Sequence, residues 1–159
     1  MAERQARLLS SDLVPLVHPW IDQSRAPLYE MTFPSETSDN ELSQLCVARE
    51  RWALRAGYQV VWVVNLAGIL QATAQQRKIF SEHLKRFEPH DLAYNLGSAL
   101  LVPNPLVRGI VTAIFWLKQP RFPNECFGTL EEARAWAEQQ LIAGGVTAPP
   151  PRTSPPRLR

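Results

Sequence analysis

Glycine, cysteine, histidine and lysine are all scarce in this chain. Seven glycines are scattered through 159 residues, and none stands in a GxGxxG or GxxxxGK[ST] run. The backbone cradle that such loops build for nucleotide phosphates is therefore not written here. No GxSxG elbow is present, and Ser98, which follows Gly97, falls where a strand is expected. The two cysteines, Cys46 and Cys126, lie in neither CxxC nor Cys/His spacing, which argues against a disulfide scaffold and a zinc site. The three histidines, His18, His83 and His90, have no metal-ligand spacing either. No cofactor and no metal are expected.

Long hydrophobic runs are missing too. The longest, Ile110–Leu117, has eight residues including Thr112, against the roughly 20 that a membrane-spanning helix needs. No apolar stretch follows the start Met1–Arg7, so a signal peptide is not expected and the cytoplasm is the expected compartment. Basic excess is slight: 17 Lys+Arg against 15 Asp+Glu gives +2. Residues 145–159 hold Arg152, Arg157 and Arg159 and no acid, so residues 1–144 carry −1 (+2 minus +3). Without a basic stripe, nucleic acid is not an expected partner.

What is present is a globular composition, 45% apolar and 9% aromatic. Residues 1–11 read as a flexible polar lead-in, 12–144 as one domain and 145–159 as a Pro/Arg-rich disordered tail. Val14–Trp20 and Leu28–Phe33 read as two strands, the first demoted to an edge by Pro15 and Pro19, with a turn over Asp22–Pro27. Ser38 and Glu41 form a capping box that opens a helix to about Ala56, with Gly57 as its C-terminal cap. Leu42, Leu45, Cys46, Trp52, Ala53 and Ala56 share its inner face. The β-branched and aromatic run Val60–Val64 predicts a strand covered on both faces.

A second capping box, Thr73 with Gln76, opens a helix that Pro89 should stop near Phe87. His90 and Asp91 then fall in a connection. Leu96–Val102 is the next strand. Asn104 and Pro105 open a helix to about Lys118, a short strand lies around Cys126–Phe127, and Thr129 with Glu132 is a third capping box, opening a last helix that ends near Gly144. This alternation predicts an α/β fold: a mixed, mostly parallel sheet of about five strands flanked by about four helices.

Three features carry a functional signal. The loop after Val60–Val64 leaves the carboxyl end of a central strand and enters a helix, the place where open α/β sheets bind ligands. Asn65, Gly68 and Thr73 are candidates to line it, while Gly68 as a turn residue and Thr73 as a cap explain them equally. Asn104 and Arg108 lie at the same edge. Arg108 places a cation in the first turn of a helix, where the dipole disfavours it. Either a neighbouring acid such as Glu125 or an anionic ligand is expected to compensate. Lastly, the helix from 105 to 118 is apolar around nearly its whole circumference, more than one packed face requires. Ile110, Ile114, Phe115 and Trp116 are candidates to meet a partner, unless the connection 119–127 covers the surplus. A catalytic reading would have to be built from His83, or from His90 with Asp91. His83 lies on an inner helix face and reads as a core residue.

The run Val60-Val-Trp-Val-Val-Asn-Leu-Ala-Gly68, the junction Val102-Pro-Asn-Pro-Leu-Val-Arg-Gly109 and the closing Cys126-Phe-Gly-Thr-Leu-Glu-Glu-Ala-Arg-Ala-Trp136 resemble bacterial STAS-like domains. These include the anti-sigma-factor antagonists and their SpoIIAA-like relatives. The resemblance spans about residues 12–143. It implies a small helix-flanked mixed sheet that regulates by binding a protein partner. In the antagonists a serine at the start of the helix after the central strand is phosphorylated. The matching position here reads Ala74, and the neighbouring Thr73 carries the only hydroxyl, which makes it the phosphorylation candidate.

The expectation is thus a non-enzymatic bacterial regulatory module that binds a protein partner or itself through the helix at about 105–118 and the adjoining loop. The alternative is a domain for a small anionic ligand or lipid, held by the loop edge 65–73 and Arg108.

Overall fold

A computed structural model describes residues 12–146. It contains strands β1 (Ile21–Arg25), β2 (Leu28–Thr32), β3 (Val60–Asn65), β4 (Asn95–Leu101) and β5 (Asn124–Phe127). Helices α1 (Asp39–Ala53), α2 (Ala74–Tyr94), α3 (Pro105–Leu117) and α4 (Leu130–Ala143) complete it. The strands form one sheet in the order β1-β2-β3-β4-β5. β1 and β2 are antiparallel and all other pairs are parallel. The expected mixed, mostly parallel α/β fold is the fold observed.

Stepwise crossovers in one direction place successive helices on the same side of a sheet. Side chains of β2–β4 that alternate toward that side, Tyr29, Met31, Trp62, Val64 and Leu100, share a core with Leu45 and Trp52 of α1, Phe87 of α2 and Val107 and Val111 of α3. Their neighbours in sequence, Leu28, Val61, Val63 and Ala99, point the other way and pack under Ala133, Ala137 and Leu141 of α4. Two buried faces explain why β3 is apolar from Val60 to Val64. β2 is buried on both faces as well. Its Glu30 lies beside α4 as a bidentate partner of Arg134, at 2.7 and 3.0 Å. The α4 end is closed by Gly145 at φ 79°, with Gly145 N donating to Ile142 O and Val146 N to Leu141 O. This pairing is the Schellman pattern, in which a glycine takes the left-handed backbone. The rest of the expected tail, 147–159, and the lead-in 1–11 lie outside the described residues.

Three local expectations are corrected. Residues 14–20 are not a strand, and β1 instead occupies the segment read as a turn. Pro15 and Pro19 have no amide to give a ladder, and Leu16 N donates to Gln23 Oε1 at 2.8 Å instead. Gly57 is not the cap of α1. That helix ends at Ala53 with Leu54 in right-handed geometry, and Ala56 N turns back to Trp52 O. α2 does not stop before Pro89 but continues to Tyr94. The turn beyond the proline is anchored by burial. His90 Nε2 meets Ala56 O at 2.9 Å and its ring packs between Trp52, Phe87 and Tyr94. Tertiary contacts outweigh the lost backbone bond. The capping boxes at Ser38 and Thr73 form as expected, whereas at Thr129 only the half in which Glu132 N donates to Thr129 Oγ1, at 3.3 Å, is formed.

Candidate functional site

The carboxyl ends of β2, β3 and β4 converge below α3, whose helix–helix contact is with α2. Asn104 starts α3, its Oδ1 accepting from Val107 N at 3.0 Å. Only Val107 and Val111 of α3 are buried. Ile110, Ile114 and Phe115 are half-buried and face a cavity of about 110 Å³ between α3, α2 and the sheet edge. Leu66, Ile69 and Phe33 close it from the loops after β3 and β2.

Trp116 points away from this cavity and is 85% exposed. Leu106 and Leu117 are 53% and 52% exposed. With Gly109, beside which a Cβ would meet nothing within 4 Å, they form an apolar strip along the outer face of α3. The connection 119–127 does not cover it. Lys118 and Arg121 instead tie that connection to Glu88 of α2, and Phe122 joins the cavity wall. The sequence candidates Ile110, Ile114, Phe115 and Trp116 are thus divided between an inner and an outer surface.

The other candidates are held in structural roles at the rim. Asn65 Oδ1 accepts from Ala67 N at 3.0 Å, and Thr73 Oγ1 accepts from Gln76 N at 3.0 Å. Gly68 lies in the exposed loop after β3 with its backbone against Phe33 O. None of Asn65, Gly68, Thr73, Asn104 or Arg108 lines the cavity. Arg108 is exposed, and the expected bridge to Glu125 is not formed among the described residues.

The cavity has a polar end. Arg49, 5% exposed, lines it together with Asp91 and Ser98. The Arg49 guanidinium is stacked between the rings of Trp62 and Phe87, 4.4 and 4.3 Å from their centroids. Its Nη1 lies 2.8 Å from Nε2 of the fully buried His83. Arginine only donates, so Nε2 accepts and Nδ1–H donates to Glu50 Oε2 at 3.0 Å. Glu50 in turn pairs with Arg86 at the surface. Burial holds the His83 imidazole down at about 4, so it is neutral at pH 7. The hydrogen bond from His83, with Arg86 beside it, holds the Glu50 carboxyl down at about 2. Asp91 Oδ1 accepts from Asn95 Nδ2 at 3.0 Å, and burial pushes its carboxyl up to about 6. The Cys46 thiol, on the same face of α1, is pushed up to about 12 by burial and is not an activated nucleophile.

The sequence reading does not single out Arg49 and places Asp91 in a connection rather than in α2, although each leaves a trace. Arg49 stands between Cys46 and Trp52, a lone charge on the apolar stripe of α1. Asp91 follows Phe87 by one helical turn, which becomes visible only once α2 passes Pro89. Among the described residues no cluster of three or more His, Cys, Asp or Glu side chains is placed to hold a metal. No described helix is long and apolar enough to cross a membrane. No protein-family model, curated protein or solved structure matches the chain.

Proposed function

We propose that this chain is a non-enzymatic, STAS-like regulatory module of the bacterial cytoplasm that binds a protein partner or a second copy of itself through α3. One observation carries the reading: α3 exposes Leu106, Trp116 and Leu117 along one strip while burying only two of its residues. A large aromatic flanked by aliphatic residues and a bare glycine backbone is the composition of an interface centre. Thr73, at the rim of the adjoining loop, is exposed and caps α2. A phosphate there would sit at a helix N-terminus, where its charge is favoured, and would alter the surface beside α3.

The test is sedimentation velocity of the wild-type chain and of Trp116→Glu, alone and with candidate partners. The substituted side chain lies in solvent, so the fold is retained. Association present in the wild type and lost in Trp116→Glu supports the reading, and association equal in both refutes it. The alternative, an anionic ligand at the loop edge 65–73, has in its favour the exposed Arg108 at the start of α3. It would show as a thermal shift with small anions that Arg108→Ala removes.

A further inference from the structure

The chain holds three lysines, and all of them stand on one side of the molecule: Lys78 and Lys85 on α2 and Lys118 at the end of α3. Residues 92–124, which include the whole of α3, contain no acid. β3, β4 and β5 are parallel, so α2 and α3 return in the same direction and lie side by side. Glu88 of α2 pairs with Lys118 and Arg121 just beyond α3. Lys85, one turn before Glu88, and Lys78, two turns before Lys85, are exposed on the same flank. Arg108 is exposed at the other end of α3 and lies toward β5, near enough to act on the Cys126 thiol. These five cations face two acids, Glu82 and Glu88 of α2, a balance of +3, whereas residues 1–144 as a whole carry −1.

The exposed Leu106, Trp116 and Leu117 lie within this basic frame. From 106 to 117 the strip is about 17 Å long, or three helical turns. A carboxylate is the group that the frame already holds, since Lys118 and Arg121 converge on Glu88. A second copy fits poorly, because it would bring the same cations face to face, and like charges across an interface reject a partner. A bilayer fits poorly as well. Arg108 and Thr112 are exposed at four-residue spacing from Trp116 and interrupt the outer face, whereas a helix lying in a membrane surface sinks an apolar face about 5–10 Å deep.

Resting on the reading of α3 as an interface, we propose that the surface over α2 and α3 takes an acidic amphipathic helix of a protein partner. The apolar spine of that helix lies on Leu106, Trp116 and Leu117. Its flanking carboxylates meet Arg108 on one side and Lys78 and Lys85 on the other. An amphipathic helix laid along an apolar strip is a recurrent mode of recognition. The rim charges select the partner and speed the encounter, while the apolar centre holds it.

The experiment is fluorescence anisotropy of the full chain with three labelled helical peptides of about four turns. All share one leucine spine, and their flanks carry Glu, Gln or Lys. The Glu peptide should bind saturably and about tenfold more tightly than the Gln peptide, and the Lys peptide more weakly still. The double variant Lys85→Glu with Arg108→Glu, changed at two exposed positions that leave the fold intact, should reverse that order. Trp116→Ser should weaken the Glu and Gln peptides alike. No saturable binding of the Glu peptide, equal affinity for Glu and Gln, or an unchanged order in the double variant would each overturn the proposal. So would binding to phosphatidylcholine–phosphatidylserine vesicles, or dimer formation by the chain itself, that Trp116→Ser abolishes, since the surface would then belong to a membrane or to a second copy. Peptide binding that needs Trp116 but shows no preference for Glu removes only the acidic partner, whereas binding indifferent to Trp116→Ser removes the interface on α3 itself.

Discussion

Arg49 Nη1 and His83 Nε2 lie 2.8 Å apart in the buried layer between α1 and α2, so a neutral histidine serves as the acceptor for a buried guanidinium. The same ring passes its other nitrogen to Glu50, which reaches solvent beside Arg86. The chain from Arg49 to Arg86 thus connects the cavity end to the surface, with the imidazole fixed in one tautomer.

Breaking this relay from its middle should be expensive. His83→Leu leaves both Arg49 and Glu50 without their buried partner, and a loss of about 3 kcal/mol is expected. Arg49→Met combined with His83→Leu should cost less than the sum of the two single changes, because Arg49→Met removes the charge that His83→Leu strands. Urea unfolding of the two single variants and the double variant measures this coupling. Strict additivity would mean that the two side chains do not act as a unit.

The pH profile has a definite sign. The folded Asp91 carboxyl titrates at about 6, above the ordinary value near 4, so the folded state holds the extra proton between those values. Its contribution is therefore a penalty that is fully present above pH 6 and relieved as pH falls toward 4. His83 acts in the opposite direction. Its folded value of about 4 lies below 6.5, so acid favours the unfolded chain between pH 6.5 and 4. The two effects offset. Asp91→Asn removes one of them, and relative to wild type it should gain about 2 kcal/mol on going from pH 4 to pH 7. Denaturation at both pH values gives the number, and a difference that does not change with pH would show that Asp91 is not held neutral by burial.

The two faces of α3 should respond differently to substitution. Val111 is buried, and Val111→Ala should cost about 1–3 kcal/mol. Trp116→Ser removes a larger side chain but should change stability by no more than about 0.5 kcal/mol, because that ring is in solvent. Thermal unfolding of the purified variants compares them directly. A large loss for Trp116→Ser would place the indole inside the fold.

The pattern of what was legible has a physical basis. Capping boxes at Ser38 and Thr73 and the apolar run Val60–Val64 depend on neighbours in sequence, and they are found where the residues place them. The end of α2 was not legible. Local chemistry at Pro89 calls for a stop, while the burial of His90 against Trp52 and Ala56, far away in sequence, extends the helix. β1 was misplaced for the same kind of reason. Gln23 satisfies the backbone of Leu16 through a side chain, a pairing that alternation does not show. At the candidate site, the apolar surplus of α3 was visible as composition, but its division into an inward Ile110, Ile114 and Phe115 and an outward Trp116 depends on the position of α2. Arg49 was passed over because a single charge on an apolar stripe shows its role only when Trp62 and Phe87 are seen to enclose it.

The claim that α3 is an interface is tested most directly by photo-crosslinking in living cells from a benzoylphenylalanine placed at position 116, with the same probe at position 54 as control. Leu54 is also an exposed apolar residue, at 87%, but it lies at the end of α1. The account predicts a discrete covalent adduct from position 116 that position 54 does not give. Identical patterns from the two positions, or no adduct from 116, would contradict it.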